Sequence, residues 1–129
     1  MKDSGKQRDL GTGSKRDNAD NKPRMELLPL DLLERLSYWY GEGAVKYGCN
    51  NWRKGQPESV VIGCLLRHLS KYMKNMHDED HASAIVWNAL ALMNADEYHK
   101  DNDKVCDITG DTAWFEDSKP TGSGNYESK

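Results

Sequence analysis

Cysteine is scarce in this sequence, and long hydrophobic runs are absent. The 129 residues contain three cysteines, and no two of them have the Cys-x-x-Cys spacing of zinc knuckles or redox motifs. This pattern favours a reducing compartment over a disulfide-stabilised secreted fold, so we expect a cytoplasmic protein. Neither a signal peptide nor a membrane-spanning segment is recognisable, and we therefore expect no membrane partner.

Positive charge is not in excess either. The 18 Lys and Arg residues are balanced by 21 Asp and Glu residues, which gives a net charge of −3 at pH 7. This balance gives no general affinity for nucleic acids, so we expect no sequence-specific nucleic-acid binding. Hydrophobic residues form only 36% of the chain. A core this small is marginal on its own, and we therefore expect a homo-oligomer.

The sequence also lacks the alternating pattern of β-strands, whereas three segments have helical periodicity. The first has an apolar stripe from Leu28 to Tyr40, and we expect Gly41 and Gly43 to interrupt or end it. The second runs from about Val60 to Met76 and the third from Asp78 to about Tyr98. We therefore predict an all-α fold, a small helical bundle of three main helices with an extended N-terminal arm and a flexible C-terminal tail.

Composition divides the chain into three parts. We predict an N-terminal arm at residues 1–22, a helical domain at residues 23–100 and a flexible tail at residues 101–129. The arm is polar and charged, and its composition alone is typical of disorder. The tail is rich in Asp, Gly and Ser, with one apolar island at Trp114-Phe115.

The third helix is the element around which we expect the others to pack. From Ala82 to Met93 nearly every residue is apolar, and a helix that is apolar all round is normally buried. His81 and Asn88 are seven residues apart and therefore share one face. Polar side chains on a buried helix must be hydrogen-bonded or must bind a ligand.

Acidic residues are the first candidates for chemistry. Asp31 and Glu34 share a helix face, as metal-binding carboxylates would, but the same spacing also describes a helix N-cap. We expect Asp78, Glu79 and Asp80 to form the first turn of the third helix. They could hold a divalent metal through oxygen ligands, although acids favour the first turn of any helix because of its dipole.

Histidines could also bind a metal. His77 and His81 have the His-x3-His spacing that can bind zinc on a helix, but no third ligand stands out. His68 is by itself more typical of a structural histidine than of a ligand.

Cations and aromatic residues leave two interpretations open. Arg67, Lys71 and Lys74 form a basic stripe that suits a phosphate chain and equally suits a solvated helix face. Tyr47 and Trp52 could stack on a nucleobase or could pack in the core.

Together these residues form an ordered series of motifs. In chain order it comprises Gly43-Ala-x-Lys46-Tyr47-Gly48, Asn51-Trp52-Arg53-Lys54-Gly55, Arg67-His68-Leu69, Asp78-Glu79-Asp80-His81 and Trp87-Asn88-Ala89-Leu90. The series resembles the phage-associated dATP/dGTP diphosphohydrolase N-terminal domain family, which is related to the all-α MazG-type nucleoside triphosphate pyrophosphohydrolases. The resemblance covers about residues 3–98.

The resemblance implies a helical, oligomeric hydrolase that depends on Mg²⁺ or Mn²⁺. Such an enzyme splits a purine deoxynucleoside triphosphate, dATP or dGTP, into the monophosphate and pyrophosphate, in the host cytoplasm if the gene belongs to a phage. The metal ligands implied are Glu34, Asp78, Glu79 and Asp80, with Glu79 and Asp80 catalytic. The substrate-binding residues implied are Arg16, Lys46, Tyr47, Asn51, Trp52, Arg53, Arg67, His68, His81 and Asn88.

Some features depart from the MazG type. The Glu-x-x-Glu and Glu-x-x-Asp pairs of those enzymes do not occur, and Asp31-x-x-Glu34 is the nearest match. Ala84 stands where related members often have a second histidine, and Gly63 where some have an acid. The alternative function is therefore a non-catalytic phage accessory protein that binds nucleotide or a host protein.

The arm carries spaced cations, with Gly11 and Gly13 between them. Glycines let the backbone wrap closely around an anion, and the segment resembles the opening motif of the same family. We therefore expect the arm to fold over the nucleotide site and to become ordered when ligand binds.

Overall fold

The computed structural model describes residues 5–18 and 20–109. These residues belong to two compact units. The N-terminal unit ends at Leu30, and the second unit begins at Asp31. The three main helices are α1 (Leu30–Tyr47), α2 (Glu58–Met73) and α3 (His81–Tyr98). The predicted all-α architecture with three main helices is confirmed.

A small hairpin forms in the N-terminal unit. Strand β1 (Gln7–Asp9) pairs antiparallel with β2 (Lys15–Asp17), and Arg8 lies opposite Arg16. The turn between the strands contains Gly11 and Gly13, both with positive φ. The sequence does not reveal this hairpin, because strands of three residues are too short to show alternation.

Helix α1 continues through both of the glycines that we expected to interrupt or end it. A glycine in a helix costs only about 1 kcal/mol relative to alanine, and this cost does not stop α1. The helix ends instead at Tyr47 and is followed by Gly48, which has a φ of 91° and whose N–H donates to the Ala44 carbonyl at 2.9 Å. Gly48 thus provides the left-handed backbone that commonly follows a helix.

Helices α2 and α3 pack against each other along small side chains of α3. Ala84, Ala91 and Ala95 are buried, together with Asn88 on the same face. The opposite side of α3 is different, because Val86 and Met93 are 45% and 60% exposed. The expected burial of α3 on all sides therefore does not hold within one chain.

The segment after α3 is fixed to the beginning of α2. The Glu58 side chain is buried and accepts hydrogen bonds from the N–H groups of Ile108 and Thr109 and from the Thr109 hydroxyl. Val105 and Cys106 are buried as well. Ordered packing therefore reaches Thr109, beyond residue 100, while the division into three parts stays a prediction.

The island at Trp114-Phe115 lies outside the described residues. Within the part of the chain that the structure describes, none of the helices combines the length and the hydropathy needed to cross a membrane.

Candidate functional site

A cavity of about 770 Å³ is bordered by α1, α2, α3 and a short 3-10 helix at Asn51–Lys54. Five aromatic side chains contribute to its wall, those of Trp39, Tyr40, Tyr47, Trp52 and Trp87. The Tyr40 ring meets the Trp52 ring edge to face at a centroid distance of 5.7 Å. Burial raises the pKa of the Tyr40 phenol, so this side chain is neutral near pH 7.

Several predicted substrate-binding residues line this cavity. Lys46, Tyr47 and Trp52 come from α1 and the 3-10 helix, and Asn51 precedes Trp52. Asn88 comes from α3, and its amide donates to the Ala84 carbonyl at 2.8 Å. The structure thus brings these residues together, and their role in binding substrate stays a prediction.

Two histidines meet beside the cavity. His68 lies on α2 and His81 begins α3, and their Nδ1 atoms are 2.9 Å apart. The other ring nitrogen of His81, Nε2, lies 2.7 Å from Asp78 Oδ1. His81 is only 2% exposed. Asp78 therefore fixes the orientation of a buried imidazole.

The charges of this pair follow from their surroundings. Burial lowers the pKa of His68, and the negative charge of Glu79 offsets only part of this effect, so the imidazole is neutral near pH 7. The hydrogen bond with His81 lowers the pKa of Asp78. A carboxylate thus faces one nitrogen of His81 and a neutral ring faces the other.

Glu79 completes a group that could hold a metal ion. One donor atom from each of His68, Glu79 and His81 lies within 4.8 Å of the other two. Two imidazoles and a carboxylate are a donor set that suits a divalent ion. His68 and Glu79 also line the cavity, so the donor group and the aromatic wall share one space.

The acidic cluster precedes α3 and does not form its first turn, so that expectation was wrong. Asp80 is the N-cap, and its side chain accepts from the Ser83 N–H and hydroxyl. Asp80 also forms a two-point ion pair with Arg35 of α1, at 2.7 and 2.9 Å. These Arg35 hydrogen bonds are the main reason why the pKa of Asp80 is far below its usual range.

The predicted oxygen-only metal site is therefore divided in the structure. Glu79 belongs to the donor group, whereas Asp78 contacts His81 and Asp80 is held by Arg35 and Ser83. Glu34 is exposed on α1 and lies outside the donor group, as does His77. The assignment of these acids as ligands stays a prediction.

Most predicted phosphate-binding cations lie elsewhere. Lys46 is the only lysine or arginine among the described residues that line the cavity. Arg53 lies over the Trp52 ring at 4.5 Å, and Arg67 donates to Cys64 Sγ at 3.1 Å. Arg16 belongs to the N-terminal unit, and its contribution to the site stays a prediction.

Sequence reasoning missed the residues that hold the 3-10 helix in place. The buried Asn94 amide donates to the Trp52 and Arg53 carbonyls at 3.4 Å, and His99 Nε2 lies 2.9 Å from the Arg53 carbonyl. Asn94 follows the apolar run of α3 directly. Its position next to the apolar run is the signal in the sequence that points to Asn94, as it does to Asn88.

Comparison with protein families gives a match over most of the chain. The family model described as dATP/dGTP diphosphohydrolase, N-terminal, matches residues 12–105, which include all three helices and every residue of the donor group. Comparisons with curated proteins and with solved structures give no match. The chain belongs to the dATP/dGTP diphosphohydrolase N-terminal domain family.

Proposed function

We propose that this protein is a metal-dependent hydrolase that cleaves dATP or dGTP into the monophosphate and pyrophosphate. One observation carries the proposal: His68 and Glu79 belong both to the donor group and to the lining of the aromatic cavity. A volume of about 770 Å³ is within the usual range for small-molecule sites. Membership in the family supports the same substrate class.

The aromatic wall suits the base and the sugar. Tyr47 and Trp52 offer ring faces on which a purine can stack, because every nucleobase has a π-face. Asn51 offers an amide that can donate to and accept from the edge of a base. We therefore place the base at the end of the cavity near these three residues.

The donor group suits the phosphates. In the reaction, the oxygen of a water molecule bonds to the α-phosphorus while the bond from this phosphorus to the α–β bridging oxygen breaks, and pyrophosphate leaves. His68, Glu79 and His81 would hold a divalent ion such as the Mg²⁺ or Mn²⁺ that the family resemblance implies, and this ion would supply Lewis acidity that activates water and neutralises phosphate charge. Glu79 accepts the proton of the attacking water, and Lys46 stabilises charge on the phosphoryl oxygens.

The remaining residues position these groups. Asp78 orients His81 through the 2.7 Å contact at Nε2. Asp80 fixes the beginning of α3 by capping it and by pairing with Arg35.

Incubation of the purified protein with each deoxynucleoside triphosphate and either Mg²⁺ or Mn²⁺, followed by an assay for pyrophosphate, tests the proposal. We expect pyrophosphate from dATP or dGTP, and a loss of at least about 100-fold in kcat for Glu79→Gln. Glu97→Gln, an exposed carboxylate of α3 away from the cavity lining, is the matched control. Release of no pyrophosphate from any nucleotide would contradict the proposal.

A change at Asn88 tests whether the cavity is the site. Asn88→Leu keeps a good helix former in α3 and puts a larger apolar side chain into the lining. We expect KM to rise while the melting temperature stays close to that of the wild type. Activity lost only in proportion to folded protein would assign Asn88 a purely structural role.

The alternative function is nucleotide or host-protein binding without catalysis. It is favoured by the single lysine in the described lining and by the absence of the MazG glutamate pairs. A thermal-shift screen separates the two functions. Stabilisation by dATP or dGTP without turnover supports binding alone, and turnover excludes it.

A further inference from the structure

The contact between His68 and His81 indicates which metal ions the group of His68, Glu79 and His81 prefers. We propose that His68, Glu79 and His81 form a site for a first-row transition-metal ion, bound through both Nδ1 atoms, and that this site discriminates against Mg²⁺. The inference deepens the proposed function and rests on it for the role of the ion in catalysis. The binding itself can be measured without nucleotide.

The distance between the two imidazoles is close to that of two ligands on one ion. With metal–nitrogen bonds of about 2.1 Å, two adjacent nitrogens of an octahedral ion are about 3 Å apart, and those of a tetrahedral ion about 3.4 Å apart. The two Nδ1 atoms are 2.9 Å apart. An ion can therefore replace the contact between the rings if the His68 ring proton moves from Nδ1 to Nε2 and the His68 side chain shifts slightly.

The orientation of His81 is already that of a ligand. Its Nε2 lies 2.7 Å from a carboxylate oxygen of Asp78, which can only accept, so Nε2 carries a proton and Nδ1 is the nitrogen that faces His68. Histidine ligands in metalloproteins generally donate their second N–H to a carboxylate or a carbonyl in this manner. Asp78 is thus a positioning residue rather than a ligand.

The donor atoms determine the selectivity. Mg²⁺ is a hard ion that prefers oxygen ligands and retains several waters. Imidazole nitrogen suits later transition-metal ions such as Co²⁺ and Zn²⁺ instead, and the affinity of a nitrogen-containing site generally rises from Mn²⁺ to Co²⁺. A group with two nitrogens and one carboxylate therefore binds these ions more tightly than Mg²⁺, and leaves positions for water and phosphate oxygens.

Metal-free full-length protein, titrated separately with Co²⁺, Zn²⁺, Mn²⁺ and Mg²⁺ in a calorimeter, tests the inference without nucleotide. We expect Co²⁺ and Zn²⁺ to bind at one site per chain and at least about tenfold more tightly than Mg²⁺. Co²⁺ should also give a visible absorption band that reports nitrogen ligation. Equal affinity for Mg²⁺ and Co²⁺ would overturn the inference.

Three variants locate the site. His68→Gln should abolish the Co²⁺ band, and Asp78→Asn should weaken Co²⁺ binding by about 10–100-fold while keeping the band. His77→Gln is the matched control, since His77 is an exposed histidine four residues before His81 and outside the donor group. Unchanged Co²⁺ affinity in His68→Gln, with a folded circular dichroism spectrum, would also overturn the inference.

The outcome is separable from that of the proposed function. Pyrophosphate release with Mg²⁺ but no selective Co²⁺ binding would reject this inference and leave the hydrolase proposal standing. Selective Co²⁺ binding without pyrophosphate release with any ion would do the reverse.

Discussion

The Asp80 carboxylate both caps α3 and forms an ion pair with Arg35. Asparagine caps helices about as well as aspartate but cannot form the ion pair with Arg35. Alanine can neither cap the helix nor form the ion pair. We expect Asp80→Ala to lower the free energy of unfolding by about 1 kcal/mol more than Asp80→Asn does. Urea denaturation of both variants at pH 7 measures this difference. Equal destabilisation by the two substitutions would show that the cap contributes nothing.

The dependence of the free energy of unfolding on pH below about 4 tests the ion pair between Asp80 and Arg35. The pKa of Asp80 is lowered in the folded protein from the ordinary value of 3.8, chiefly by hydrogen bonds from Arg35. Its stabilisation is therefore present above pH 3.8 and is lost as the pH falls through the lower folded value. We expect the stability difference between wild type and Asp80→Asn to shrink below about pH 4. A difference that stays constant into strong acid would exclude the ionised pair as its source.

Single residues also show why part of the site could be found from sequence and part could not. Glu79 and Asn88 were singled out by their positions around an apolar helix, and both line the cavity. The contact of His68 with His81 was not predictable, because it depends on how α2 and α3 face each other across a turn. The oxygen-only metal site was implied by the family resemblance, which assigned carboxylates from two segments of the chain and no histidine.

At the scale of elements, the 3-10 helix depends on α3 for its position. Trp52 forms part of the cavity wall, and its backbone carbonyl is held by the buried Asn94. We expect Asn94→Ala to cost about 1 kcal/mol of stability and to raise the KM for nucleotide, because the wall becomes mobile. Hydrogen exchange at residues 51–55 should accelerate in this variant more than exchange in α2.

His99 provides a comparison for this prediction. It contacts the Arg53 carbonyl at 2.9 Å from outside the cavity lining. His99→Ala should give a similar but smaller effect on exchange, since Asn94 still holds both carbonyls. Unchanged exchange and KM in Asn94→Ala would show that the 3-10 helix does not depend on Asn94 for its position.

The positions of the helices were predictable from the sequence, but the end of α1 and the hairpin were not. The apolar stripes located all three helices, because periodicity depends on the burial that folding requires. The end of α1 was misplaced, since Gly41, Gly43 and Gly48 look alike in sequence and only Gly48 adopts positive φ. The hairpin was missed because three-residue strands are specified by their pairing and turn rather than by a pattern.

At the scale of the whole molecule, several large apolar side chains of α2 and α3 remain exposed in the single chain. Leu66 and Met73 of α2 and Val86 and Met93 of α3 are all 45% or more exposed. The predicted homo-oligomer would cover such residues. We expect Met93→Glu, which keeps a good helix former, to shift the protein toward monomer without lowering its helical content.

Sedimentation equilibrium over a range of concentrations measures this shift. Lys104→Glu is the control, because it alters charge at an exposed position beyond α3. A wild-type protein that is monomeric at all concentrations would contradict the oligomer prediction. Association unchanged by Met93→Glu would place the interface elsewhere.

At Gly41 and Gly43 of α1, selection for stability and selection for activity favour different residues. Both glycines line the cavity, and a Cβ added at either position meets no described atom within 4 Å. Alanine at Gly41 should therefore stabilise α1 by up to about 1 kcal/mol, because it restricts the unfolded chain and favours helix. The same methyl group would occupy space that a substrate needs. Thermostabilised descendants of this protein, selected for folding alone, should accumulate alanine there and lose turnover as they do so.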